Sequence, residues 1–227
     1  MLDDRDSDER LRDAIDCVLD TVVQNVEVSA GSLRSRRLRP PVWLARLSGL
    51  LGAGGAIAEQ VAVDSELAVG DPESGLSSQA GYCDLLVRVA VEATVASTAF
   101  SISEDPGARD PAGELDASVD LLRDMLEEKT SALDGSVSLE RWHMWLIKDI
   151  GHAAETLTLI ERAISDDREA IDELRRRGKV PAGESPVFGA QGVVGMDCLV
   201  LAMHAVLAAA TLAPDGYEPV MADLRLG

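Results

Sequence analysis

The stretch 190-AQGVVGMDCLVLAMHAVLAAATLA-213 decides the fold. It is long and apolar enough to span a membrane, yet Asp197 and His204 lie inside it, and no second span or flanking basic cluster accompanies it. A helix that is apolar all round and buried at the centre of a bundle accounts for it better. Asp197, His204 and Thr211 recur at steps of seven, two turns each, so they share one face of that helix. Buried polar groups need partners, and this face is therefore where neighbouring helices should offer them.

The flanking sequence is helical in pattern, with no convincing strand. Residues 9–28 set Leu11, Ile15, Val18, Leu19, Val22 and Val26 on one side. The segment 29-SAGSLRSRRLRPP-41 breaks the pattern with Gly31 and the Pro40-Pro41 pair. Residues 42–69 resume a helix whose part 49-GLLGAGGAIAEQ-60 holds four glycines, which suggests close packing or a kink. They do not form a phosphate loop, because the Lys-Ser/Thr ending and a preceding strand are missing.

The linker 70-GDPESG-75 leads to a helix over 77–103, closed by 104-EDPGARDPAG-113. An acidic surface helix over about 114–132 turns Leu115, Val119, Leu122 and Leu126 inward, and Gly135 separates it from a long helix over about 138–177. The loop 178-GKVPAGESPVFGAQG-192 precedes the apolar helix 193–213. These spans predict an all-α, single-domain bundle of about six helices over 1–227, with an acidic arm at 1–8 and a short tail at 214–227.

Composition narrows the function classes. The chain has 227 residues, 46% hydrophobic and 27% charged, as in ordinary globular proteins. It carries 40 Asp+Glu against 21 Lys+Arg, a formal charge of -19, which repels phosphate backbones and anionic lipid. No nucleic acid and no membrane are expected as partners. The N-terminus MLDDRDSDER is acidic where a signal peptide is basic and then apolar, so a cytoplasmic location is expected. Cys17, Cys83 and Cys198 lie in apolar helical runs with no CxxC spacing, which reads as buried thiols in a reducing compartment rather than a disulfide or zinc framework. Arginine outnumbers lysine 18 to 3, and Ala, Gly and Val abound, the mark of GC-rich bacterial coding.

Aromatic residues make up only 3% of the chain, yet 140-ERWHMWLIKDIGHAAET-156 holds Trp142, Trp145, His143 and His152. Trp142 falls on the core stripe Leu139, Trp142, Leu146, Ile150, Ala153, Leu157, Ile160, Ile164, Ile171, Leu174. His143 and His152 are nine residues apart, half a turn net, and cannot share a metal on one helix. Glu140 and His143 have the Glu-x-x-His spacing of di-iron bundles, but a second such motif is absent, and no metal is expected. Trp145, Asp149, His152 and Thr156 form a second stripe, on which Asp149 is placed to orient the His152 imidazole.

Helix 77–103 carries Asp84, Arg88 and Glu92 at steps of four, with Glu92 at an otherwise apolar position of the stripe Leu85, Val89, Glu92, Ala96, Ala99. Three apolar helices thus each carry a carboxylate, and two carry a histidine. The expectation is that they converge on one polar cavity between helices 77–103, 138–177 and 193–213.

No dinucleotide fingerprint, phosphate loop, nucleophile elbow or HExxH motif is present. The chemistry left is that of positioned acids and bases without a cofactor: elimination, cyclisation or isomerisation, lyase-like, on a small metabolite. His152, Asp149, His204, Asp197 and Glu92 are the catalytic candidates; Arg88, Trp145, Thr156 and Asp84 are the substrate-binding ones. Lys148, nearly opposite the core stripe, is read as solvated. The alternative is a non-catalytic accessory or partner-binding module, oligomeric through its helical faces. There Arg34, Arg36, Arg37 and Arg39 would hold an acidic segment, such as a second copy's arm.

Overall fold

A computed structural model describes residues 4–35, 72–104, 110–131, 139–164, 166–180 and 191–213. Six helices and no strand occur among them: α1 (Asp4–Ser35), α2 (Pro72–Glu104), α3 (Pro111–Ser131), α4 (Leu139–Ile164), α5 (Arg168–Arg176) and α6 (Gln191–Leu212). The fold is an all-α bundle. The helix expected over 42–69, the basic side chains Arg34, Arg36, Arg37 and Arg39, the loop 181–190 and the tail 214–227 lie outside the described residues.

The apolar helix is central. α6 packs against α1, α2, α3 and α4, most extensively against α2, while α5 packs on α4. Every side chain from Leu201 to Ala210 is buried, so no amphipathic face is needed. Among the described residues Val194–Leu212 is the one helix long and apolar enough to cross a membrane, and 78% of it is buried inside the bundle. A core helix of a bundle meets the same criteria.

α2 and α6 run antiparallel through a seam of small residues. Cys83 Sγ lies 3.6 Å from the Ala209 carbonyl at one end. At the other end, a Cβ on Gly195 would sit 3.5 Å from the Ser97 carbonyl oxygen. Ala90, Ala202 and Ala209 between them let the backbones approach, and all are buried. α2 is rich in β-branched residues, which disfavour helix when exposed, but burial of Val87, Val89, Val91 and Val95 outweighs that cost. Two of its buried hydroxyls are satisfied locally: Thr94 donates to the Ala90 carbonyl at 2.8 Å and Thr98 to Thr94 at 3.1 Å. Thr98 and Ser118 also pair at 3.0 Å, which ties α2 to α3.

The outer helices are amphipathic as their spacing predicts. Leu11, Ile15, Val18, Leu19, Val22 and Val26 of α1 are buried, as are Leu115, Val119, Leu122 and Leu126 of α3 and Trp142, Leu146, Leu157 and Ile160 of α4.

Several boundaries differ from the sequence reading. α1 starts inside the expected acidic arm and runs through Gly31 to Ser35; one glycine weakens a helix by about 1 kcal/mol but does not end it. α2 begins at Pro72, inside the expected linker, and α3 at Pro111, since proline suits a first helical position. Asp110 Oδ1 accepts from the Ala112 N–H at 3.2 Å to start α3.

The largest correction concerns the helix expected over 138–177, which is two helices. Asp166 adopts the left-handed conformation at φ 62° and stops α4. Asp167 then caps α5, its Oδ1 accepting from Glu169 N at 3.0 Å and Ala170 N at 3.3 Å. Arg162 donates to Asp167 Oδ2 at 2.8 Å and fastens the turn. The apolar stripe concealed this break, because Ala170 and Leu174 of α5 still return to the core.

Candidate functional site

The face shared by Asp197, His204 and Thr211 meets a polar partner at each level. Lys179 Nζ, just beyond α5, donates to Asp197 at 2.7 and 3.0 Å. His204 Nε2 lies 3.7 Å from Asp149 Oδ2 on α4. Thr211 Oγ1 lies 2.9 Å from His143 Nδ1, two turns nearer the start of α4. Partners that fall along α4 as α6 rises make the two helices antiparallel. The heptad spacing on one helix thus becomes a polar ladder along a seam.

His204 is the most confined of these groups, 7% exposed. Its Nδ1 is sealed from solvent and has no hydrogen-bond partner among the described residues. Burial lowers its pKa below the ordinary 6.5; the Asp149 carboxylate acts the other way and Lys129, on α3, adds to the lowering. The folded state therefore favours the neutral imidazole. Asp149 is the solvent-facing half of the pair, its side chain 48% exposed. At 3.7 Å the contact is longer than a direct hydrogen bond. With a carboxylate facing Nε2, the favoured tautomer carries its proton there, leaving the Nδ1 lone pair in the interior.

His143 has the opposite arrangement. Thr211 Oγ1 donates to the Ala208 carbonyl at 2.9 Å, which leaves its oxygen to accept from His143 in the tautomer that carries a proton on Nδ1. The Tyr82 ring meets His143 edge-on, centroids 6.4 Å apart. Burial lowers the His143 pKa, and a hydrogen bond to the Ala208 backbone partly offsets it. The same burial pushes the Tyr82 phenol up to about 12.

The remaining candidates are not drawn into this seam. His152 is exposed, and its backbone carbonyl accepts from Thr156 Oγ1 at 3.0 Å. The imidazole that Asp149 approaches is therefore His204, on another helix, and not its neighbour His152. Trp145 is 46% exposed, with the Arg141 guanidinium over its ring at 5.1 Å. Thr156 is buried, and Lys148 is exposed. On α2, Ala90 lies on the same side as Cys83 and Ser97, which meet α6; Glu92, two residues later, is about 200° around the axis. Glu92 is 6% exposed; Arg88 and Asp84, both half-buried, follow round the flank from that far side toward the α6-facing one. The convergence expected of Glu92, His152 and His204 does not form: one faces away from α6, one faces water, and one faces α4.

Lys179 and Lys129 are the polar participants that spacing did not single out, and His143, noted for its Glu-x-x-His spacing, takes part through Thr211 instead of a metal. Each acts across helices, where periodicity gives no signal. Two of the thiols are held protonated, Cys83 pushed up to about 12 by burial with help from Asp84, and Cys198 raised by burial. No group of three or more His, Cys, Asp or Glu able to hold a metal ion occurs among the described residues.

Comparison with family models, with curated proteins and with solved structures yields no match to this chain.

Proposed function

We propose that the protein acts on a small metabolite by cofactor-independent acid–base chemistry at the α4–α6 seam, with Asp149 as the group that meets the ligand. One observation carries this reading: an accessible carboxylate backed by a buried imidazole whose inner nitrogen has no partner among the described residues. Asp149 takes a proton from a carbon or heteroatom next to an electron-withdrawing group, and the electron pair moves into the substrate as an enolate or a new double bond. The same proton is returned at another atom in an isomerisation or cyclisation, or to a leaving group in an elimination. His204 is a positioning residue here. Its Nε2–H steadies the ionised carboxylate and withdraws as the carboxyl group forms.

The test uses the ring resonances of His204 in a two-dimensional NMR spectrum, recorded against a panel of small carbonyl and hydroxy-acid metabolites. A ligand that acts here shifts those resonances and exchanges a substrate proton with deuterated solvent, and Asp149→Asn abolishes exchange while His204→Gln slows it and moves its pH profile. If no compound shifts His204 in a folded protein, or if exchange survives Asp149→Asn, the reading fails.

A further inference from the structure

α4 carries a stripe that the acid–base reading does not use. Arg141, Trp145, Lys148 and His152 follow at steps of four, three and four, within about 60° of one another around the axis. All four are exposed. Met144 lies beside them, 63% exposed. An exposed indole and thioether next to two cations are unusual on a chain of charge -19, which should favour acidic side chains at its surface.

α3 carries the counterpart. Asp116, Asp120, Asp124 and Glu127 follow at steps of four, four and three on its outer side, and all are exposed. Leu121, 38% exposed, accompanies them. Arg123 engages Asp120 at 3.0 Å, while Asp116, Asp124 and Glu127 meet no cation among the described residues. Each stripe spans twelve residues of helix, about 16 Å from first to last. Within one chain the two cannot pair, since α3 and α4 pack on α6 and not on each other.

We infer that the protein forms a two-fold dimer in which the Arg141–Trp145–Lys148–His152 stripe of each copy docks on the Asp116–Asp120–Asp124–Glu127 stripe of the other. The occupant follows from complementarity of sign, length and apolar content. A two-fold arrangement uses both stripes twice and leaves neither open. Near physiological salt the Debye length is about 8 Å, so the overall repulsion of two acidic chains is screened while the close contacts persist. Asp149, next to Lys148, then sits at the margin of the interface, where the second copy covers a flank that is open in one chain.

Sedimentation velocity of the full chain at moderate salt tests this, with far-UV circular dichroism confirming that each variant is folded. The wild type is expected to be dimeric at micromolar to tens-of-micromolar concentration. Arg141→Glu with Lys148→Glu, or Asp120→Lys with Asp124→Lys, should each weaken the dimer at least tenfold, and Trp145→Ser should weaken it without altering charge. Mixing the two charge-reversed proteins should restore a dimer, because the introduced glutamates of one then face the introduced lysines of the other, while the unaltered stripes still pair. A wild type that stays monomeric, charge-reversed variants that dimerise like the wild type, or a mixture that stays monomeric would each overturn the inference. A monomer that instead captures an unrelated acidic helix overturns the second copy as occupant.

Discussion

His204 Nε2 and Asp149 Oδ2 face each other at 3.7 Å across the α4–α6 seam, one side chain almost wholly buried and the other half in water. The asymmetry has a direct physical consequence. Burial destabilises imidazolium, and a single half-solvated carboxylate does not offset it, so the folded state prefers a neutral ring. The same preference holds at His143, where burial again outweighs the favourable backbone contact.

Stability should therefore fall as the solution is acidified from neutrality. Both imidazoles have folded-state pKa values lowered from 6.5, so below about that pH the unfolded chain binds protons that the folded chain resists. The loss begins near 6.5 and levels off once the pH has passed the folded-state values. Urea unfolding at pH 7.5, 6.5 and 5.5, above the range where most carboxylates titrate, should show this slope. It should shrink in His204→Gln and shrink further with His143→Gln. A slope unchanged in the double variant would show that these rings are not its source.

The polar ladder shows what a sequence reveals of such a site and what it withholds. The seven-residue spacing of Asp197, His204 and Thr211 was legible, because a helix converts spacing into a shared face. Their partners were not, since Lys179, Asp149 and His143 are selected by how α4, α5 and α6 pack. Asp149 illustrates the difficulty: the nearest histidine in sequence is His152, yet the nearest in space belongs to α6. The bundle class and the burial of Trp142 were readable for the same reason as the ladder. The division of 138–177 was hidden by its own regularity, although the Asp166-Asp167 pair marked the place. A carboxylate that caps a new helix and one that decorates an old one look alike until the backbone is known.

Gly195 offers a test of the α2–α6 seam. A Cβ there would meet the Ser97 carbonyl at 3.5 Å, Ser97 Oγ at 3.6 Å and Phe100 Cβ at 3.7 Å, all ordinary contact distances. Gly195→Ala should therefore stabilise the protein by up to about 1 kcal/mol, the helix-propensity difference. Gly195→Leu should instead destabilise it by about 1–3 kcal/mol, because the added atoms meet backbone that has no room to move. Denaturant midpoints of the two variants should shift in opposite directions.

Asp166 is held at φ 62°, a conformation that an L-residue adopts at a cost of about 1–2 kcal/mol. Asp166→Gly removes much of that cost and should leave the protein as stable or up to about 1 kcal/mol more stable. Asp166→Val, β-branched, should destabilise it by about 1–2 kcal/mol. Equal effects from the two substitutions would mean that the turn does not constrain this residue.

Lys179 and Asp197 fasten the end of α5 to the start of α6, with two contacts at 2.7 and 3.0 Å and side chains 33% and 20% exposed. An exposed pair contributes little, but this one is partly shielded and bidentate at the carboxylate, which places it near the upper end of the surface range. Lys179→Met should cost about 1 kcal/mol, chiefly by leaving a shielded carboxylate without its cation. Asp197→Leu alone should cost a comparable or smaller amount, since lysine can extend its flexible stem to water. The double variant should recover part of the loss, because two apolar side chains of similar length replace the pair without stranding a charge. Thermal unfolding of the three variants decides between this coupling and simple additivity. Additive losses would mean that the two side chains stabilise the corner independently, and that the lower rung of the ladder is a contact without energetic weight.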